Sequence, residues 1–198
     1  MSTFAPESPT PRYTAAEIRM WELVEQYTNK VGYQRGAKAS SLNNAPPVID
    51  CSGWVAFLIT EAMKAHNKIS GKTIFDINVI DIINPWSDQI IAQIIDHTEV
   101  LLEGHDITTS KLPRNATIGL NEGYFDWQEN HPRPRGINHI AQIVRRPSDQ
   151  SPFVSESYSI NPGGIRLTPL KDWLDSHADV IADNRAWVVD PFAMIDPI

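Results

Sequence analysis

The stretch Asp50-Cys51-Ser52-Gly53-Trp54-Val55-Ala56-Phe57-Leu58-Ile59 begins the helix on which the predicted fold depends. Asp50 is a suitable N-cap, because its carboxylate can accept a hydrogen bond from an amide of the first turn. The apolar residues that follow recur at helical spacing and predict one buried face: Val55, Leu58, Ile59, Ala62 and Met63. Cys51 lies four residues before Val55, so its thiol is predicted in the first turn, on that same face.

The predicted position of Cys51 suits a nucleophile. Unpaired amides and the helix dipole favour a thiolate at a helix N-terminus, and the same amides can bind an oxyanion. Gly53 keeps the first turn open to the backbone of a substrate. The alternative is a structural thiol, since free cysteines are often buried. Asp, Ser and Gly are poor packing neighbours for a core thiol, so the sequence favours a nucleophilic Cys51.

A thiolate hydrolase needs a general base that accepts the thiol proton. His139 lies in a segment whose apolar residues alternate and predict a strand, with Ala141 and Ile143 on the same face as the ring. A helix packed on that face would bring Cys51 to the start of the strand. The alternative is a histidine that only pairs with a backbone carbonyl. His131, in a proline-rich loop, is a candidate contact for substrate.

The imidazole ring also needs an acceptor that orients it and supports its positive charge. The next predicted strand contains Ser155 and Glu156, both at a suitable distance along the chain. The carboxylate is the stronger acceptor of the two. Adjacent strand residues point to opposite faces, so strand parity decides between them. The sequence does not assign that parity, and both residues remain candidates.

The order of the patterns along the chain predicts an α+β fold. Residues 1–13 are expected to form a flexible arm, and residues 14–198 a single domain. Thr14 and Glu17 form a capping box that begins a helix ending near residue 28, and residues 71–103 show a further helical, apolar pattern. The later elements are predicted as strands 116–120, 137–145, 153–158, 164–167 and 186–189, with a short helix at 169–174. Helices followed by a mostly antiparallel sheet are typical of the α+β class.

Composition limits the classes of partner and the compartment. The net charge of −7 argues against a nucleic-acid partner, which requires basic patches. A single cysteine excludes an internal disulfide. The first 19 residues contain no apolar segment typical of a signal peptide, and no apolar run reaches the length of a membrane span. We therefore expect a cytoplasmic protein, or one exported without a cleaved signal.

Taken together, the motifs resemble the NlpC family of peptidoglycan cysteine peptidases, which have a papain-like fold. The matching segments follow in the family's order over residues 15–190: Gly32-Tyr33-Gln34-Arg35-Gly36, Asp50-Cys51-Ser52-Gly53-Trp54, the strand beginning at His139, Phe153-Val154-Ser155-Glu156-Ser157, and Gly163 to Trp173. The chain departs from the family pattern at Ala37 and Ala141, where glycine is usual. It also departs in the third catalytic position and in the length of the segment 68–136.

The resemblance implies a catalytic domain in which N-terminal helices pack on the sheet, with a helical insertion at about 68–136. It implies Cys51 as the nucleophile, His139 as the base and a polar third residue. It also implies Tyr33 near the thiolate, with Asp50 and Ser52 lining the substrate cleft; Gly53 would admit the substrate backbone. No metal or organic cofactor is implied.

The expected activity is hydrolysis of an amide bond in the peptide stem of bacterial peptidoglycan or of a muropeptide. Muropeptide recycling, lysis by a phage enzyme and attack on rival bacteria by a secreted effector are all compatible with the resemblance. An effector would imply an immunity protein that plugs the cleft. Two alternatives are a lipid- or protein-directed acyl hydrolase or transferase on the same scaffold, and a non-catalytic interaction domain. A polar cleft beside Cys51 would favour the peptide stem, and a hydrophobic groove would favour acyl chains.

Overall fold

The computed structural model describes residues 12–98 and 101–194. Of the predicted flexible arm, only Arg12 and Tyr13 lie within the described residues. Helices pack on an antiparallel sheet of six strands, which confirms the predicted α+β class. Within the described ranges, no helix combines the length and the apolar character that a membrane span requires.

Five helices and eight strands follow one another along the described chain. The helices are α1 Thr14–Tyr27, α2 Cys51–Ser70, α3 Ser87–Ile95, α4 Leu170–Ser176 and α5 Ala178–Ala182. The short strands β1 Gly32–Tyr33 and β2 Val48–Ile49 pair in parallel. The main sheet contains β3 Leu101–Glu103, β4 Thr117–Leu120, β5 His139–Arg145, β6 Pro152–Tyr158, β7 Gly164–Pro169 and β8 Ala186–Val189. Its spatial order is β3-β8-β4-β5-β6-β7, and neighbouring strands run antiparallel.

Helix α2 begins and ends where local chemistry directs. The Asp50 carboxylate accepts a hydrogen bond from the Gly53 amide and caps the first turn, as predicted. Gly71 follows the last helical residue with a φ of 68°, a left-handed conformation that terminates helices. The apolar face of α2 packs with α1 and with Ile140 and Val144 of β5 in one continuous core.

The face of β5 that carries α2 differs from the prediction. Ala141 and Ile143, which share the parity of His139, belong to a second core on the opposite side of the sheet, together with Trp173 of α4. The prediction that α2 packs on the face of Ala141 and Ile143 is therefore wrong. His139 nevertheless contacts Cys51, because it is the first residue of β5 and lies at the end of the sheet.

The predicted capping box of α1 is not formed. Tyr13 occupies the N-cap position, and no side chain caps this end of the helix. Glu17 is buried and directs its carboxylate to the Arg114 guanidinium and the Asn115 amide. The ion pair holds the carboxylate away from the helix terminus, so Glu17 joins α1 to the strand region instead.

The helical pattern predicted for residues 71–103 is confirmed only for α3. Before α3, polar side chains bind nearby backbone amides and stabilise turns: Asp76 accepts from Asn78, and Asp81 accepts from Ile83. Leu101 lies in β3, at the edge of the sheet, where the prediction was a helix. The segment 68–136 also supplies the buried strand β4 between β8 and β5. It is therefore an integral part of the sheet and not a separable helical insertion.

Candidate active site

The first turn of α2 is held by a buried network around Asp50. One carboxylate oxygen accepts from the Gly53 amide at 2.7 Å and lies 3.1 Å from the Ser52 hydroxyl oxygen. The other accepts from Lys38 Nζ at 2.7 Å and from the Gly36 amide at 3.0 Å. Because both oxygens are occupied, the primary role of the side chain is to position the turn that carries the thiol.

Cys51, His139 and Glu156 lie next to one another in the site. The Cys51 thiol lies close enough to the His139 ring to raise the pKa of that ring. Nε2 of the same ring lies 2.6 Å from Oε2 of Glu156, which leaves Nδ1 for the thiol. All three residues are largely removed from solvent, with Cys51 8%, His139 4% and Glu156 0% exposed. The predicted nucleophile and base are thus brought together, and the structure selects one acceptor from the two candidates.

The groups around His139 favour a protonated ring. Burial alone lowers the pKa of His139, but hydrogen bonds to Cys51 and Glu156 and the charges of both groups outweigh it and raise the pKa to about 10. Burial raises the pKa of Glu156, yet the His139 hydrogen bond and the neighbouring Arg166 hold it at about 2. The site therefore stabilises an imidazolium beside an ionised carboxylate.

Ser155, the other candidate for the third position, faces away from His139. Its hydroxyl accepts a hydrogen bond from Nε1 of Trp54 in α2 at 2.9 Å. Strand β6 places Ser155 opposite Gln142, which has the parity of the α2 face, so Glu156 points to the His139 side. Ser155 thus stabilises the packing of α2 on the sheet and does not orient the imidazole.

Two residues that the sequence reasoning missed hold the ring and its acceptor. Tyr158 contacts the His139 ring edge-on, with centroids 4.9 Å apart. Arg166 donates to Oε1 of Glu156 at 2.7 Å and lies over the Tyr158 ring at 4.0 Å. Tyr158 shares the strand parity of Glu156, which is the only feature of the sequence that could have indicated it.

An open groove runs beside the thiol. Its lining includes Cys51 and the predicted residues Tyr33, Asp50, Ser52 and His131. Burial raises the pKa of Tyr33, as do the nearby charges of Cys51 and Asp50, which places this phenol close to the thiol as the resemblance implied. The His131 ring stacks on Trp86, with centroids 4.8 Å apart, and forms part of the wall.

Gly53 does not line the groove but packs beneath it. A Cβ at this position would lie 2.9 Å from the Ala37 carbonyl oxygen and 3.0 Å from Lys38 Cα. The glycine therefore allows the loop before β2 to approach the first turn of α2. Ser52 has a similar packing role, since its hydroxyl donates to the Pro85 carbonyl at 2.9 Å.

Several groove residues were not predicted from the sequence. They come from the loop before α2, from the segment 68–136, which supplies one wall, and from the residue before β5: Arg35, Lys38, Asn84, Pro85, Trp86, Ser87, Trp127, Arg133 and Asn138. The aromatic and proline-rich composition of residues 124–135 was the only sequence feature that marked this wall, and it indicated His131 alone.

Comparisons of the chain with protein-family models, with curated proteins and with solved structures found no match.

Proposed function

We propose that this protein is a papain-like cysteine hydrolase of the NlpC type that cleaves an amide bond in the peptide stem of peptidoglycan. The observation that carries the proposal is the chain of contacts from the Cys51 thiol through the His139 ring to Glu156. A nucleophile, a base and an orienting acceptor in this order are what acyl transfer to a thiol requires.

The proposed reaction begins with transfer of the Cys51 proton to His139 and attack of the sulfur on the amide carbon. A carbon–sulfur bond forms, and the carbonyl oxygen becomes an oxyanion. The Cys51 and Ser52 amides precede the hydrogen-bonded part of α2 and have no acceptor within the helix. Both are therefore available to donate to the oxyanion, whereas the Gly53 amide is bound to Asp50.

Collapse of the intermediate breaks the carbon–nitrogen bond, and the His139 imidazolium gives its proton to the leaving amine. A water molecule then attacks the thioester, with His139 accepting its proton. The carbon–sulfur bond breaks, the acid product leaves, and His139 returns the proton to the sulfur, which restores the thiol. Glu156 stays ionised throughout and supports the imidazolium, as its low pKa of about 2 requires.

The groove supports a peptide over an acyl chain as the substrate. Its lining includes charged, amide and hydroxyl side chains on both walls: Arg35, Lys38, Asp50, Ser52, Asn84, Ser87, Arg133 and Asn138. Burying a lipid chain among such groups would leave polar atoms without partners. A peptide stem with its own amides and carboxylates can satisfy them. The choice of peptidoglycan within the peptides rests on the resemblance.

The test is digestion of purified muropeptides by the wild type and by the Cys51→Ala variant, read by mass spectrometry. We expect the wild type to release stem fragments and the variant to release none. Because Cys51 is the only cysteine, iodoacetamide should label one site and abolish the activity. A Cys51→Ala variant with undiminished activity would show that the thiol is not the nucleophile. If the wild type cleaved acyl esters and left the muropeptides uncleaved, the lipid-directed alternative would be supported instead.

A further inference from the structure

Two arginines lie over one aromatic ring in the groove. The guanidinium carbon of Arg35 is 4.8 Å from the centroid of the Trp127 indole, and that of Arg133 is 5.0 Å from the same centroid. Both arginines line the groove together with Cys51. Stacking on a ring holds a guanidinium in one plane and leaves its edge free for hydrogen bonds. We name Arg35, Trp127 and Arg133 the arginine clamp.

No carboxylate forms a direct ion pair with the clamp among the side chains that the structure describes. Lys38, the other cation of the groove, is paired with Asp50 at 2.7 Å. Arg35 and Arg133 have no carboxylate oxygen within salt-bridge distance in the described part of the chain. The chain as a whole has a net charge of −7. Two cations without an ion-pair partner beside the thiol are therefore opposite in sign to the overall charge of the protein.

The Arg133 guanidinium has more N–H donors than there are acceptor atoms bound to it. Its Nη1 donates to the Ser87 hydroxyl at 3.1 Å and to the Ile137 carbonyl at 2.6 Å, which orients the side chain. Its Nε is buried and has no hydrogen-bond partner. Burial lowers the pKa of Arg133, while the charges of Cys51, Asp88 and Asp50 raise it, so the guanidinium lies within electrostatic range of the thiol. A half-buried cation with an unused donor can bind an anion that enters the groove.

We propose that the arginine clamp binds a free carboxylate of the substrate next to the scissile amide, and so selects stems in which that carboxylate is not amidated. This inference rests on the proposed function and adds a preference of the enzyme for one form of the substrate. Arginine recognises carboxylates through paired N–H donors, and a carboxamide offers one acceptor oxygen and no charge. A groove that presents two guanidinium groups should therefore bind the free carboxylate more tightly than the amidated stem.

The experiment compares stem peptides that differ only at one carboxylate. Three peptides are used: one with free carboxylates on both residues flanking the scissile bond, and two in which one or the other carboxylate is a carboxamide. We expect the wild type to lose about 10- to 100-fold in kcat/KM for one of the amidated peptides, mainly through KM. Arg35→Gln and Arg133→Gln should bring this ratio close to one. Arg133→Lys should restore part of it, because the charge is kept.

The matched control is Arg146→Gln, which removes an exposed arginine whose guanidinium binds Asp149 and lies outside the groove. This variant should keep the wild-type ratio. Arg133 also supports the Ile137 carbonyl, so thermal unfolding of each variant is measured alongside. If Arg133→Gln fails to fold, Arg35→Gln alone decides the outcome.

Binding separates failure of the clamp from failure of the proposed function. Calorimetry with Cys51→Ala and the same three peptides reads the preference for a carboxylate without turnover. Equal affinities and equal kcat/KM values for all peptides would overturn the clamp and leave the hydrolase intact. Absence of cleavage by the wild type, with carboxylate-dependent binding preserved, would overturn the proposed function and leave the clamp. Absence of both overturns the two together.

Discussion

Replacement of Glu156 by glutamine tests the assignment of the third catalytic residue. Glu156 is fully buried and accepts from Nε2 of His139 and from Arg166. The variant keeps the size of the side chain and removes its charge. An amide in this place can donate to Nε2 and hold the ring with the proton on the nitrogen that faces Cys51, which is the wrong tautomer for a base.

Cys51 and Glu156 together raise the pKa of His139 from 6.5 to about 10, so both groups stabilise the imidazolium. The variant removes the carboxylate from this pair, so the imidazolium is less stable and harder to form. Misplacement of the tautomer adds to this loss, so we expect kcat to fall by about 10²- to 10⁴-fold.

The pH dependence has a defined sign. Without the neighbouring carboxylate the imidazolium is less stable, so the pKa of His139 falls. The alkaline limb of kcat/KM should therefore move to lower pH. Stability should change in the same direction: the wild-type His139 contribution is complete below about pH 6.5 and is lost as the pH rises towards about 10, and the variant should lack most of it.

Ser155→Ala is the matched control, one residue away on the opposite face of β6. It removes the acceptor of the Trp54 indole, so the free energy of unfolding should fall by about 1 kcal/mol. Its activity should stay within about twofold of the wild type. Ser155 does not contact His139, so its removal leaves the contacts to the transition state intact. The assay is steady-state hydrolysis of a stem peptide between about pH 5 and 10, a range that covers the histidine titration, with urea unfolding in parallel. If Ser155→Ala lost as much activity as Glu156→Gln, the assignment of the acceptor would be refuted.

Four further substitutions, one of them a control, probe the framework by chemical denaturation. Lys38→Met should cost about 3–5 kcal/mol of stability, because it leaves the Asp50 carboxylate buried without its cation; a loss below about 1 kcal/mol would contradict this. Gly53→Ala should cost about 1–3 kcal/mol, since the new Cβ would lie 2.9 Å from a backbone oxygen, whereas Gly32→Ala, with its closest contact at 3.5 Å, should cost less. Burial raises the pKa of Asp190 to about 6. The free energy of unfolding of the wild type should therefore decrease as the pH rises from about 4 to about 6, and Asp190→Asn should abolish this decrease.

The sequence by itself determined the local features of this protein. The acceptor at Asp50 and the helical spacing after it were sufficient to predict α2 and the place of the thiol in its first turn. The alternating apolar residues were sufficient for five strands of the main sheet and for the α+β class. These features depend on residues close together in the chain, whose hydrogen bonds and periodicity a sequence displays directly.

The tertiary structure alone decided the pairings between distant residues. Strand register selected Glu156 over Ser155, because one step along a strand turns a side chain to the other face. Packing placed α2 on the face of Ile140 and not on that of Ala141. The segment 68–136 brought Arg133 and Trp127 to the groove, since contacts of long sequence separation leave no local periodicity from which to predict them.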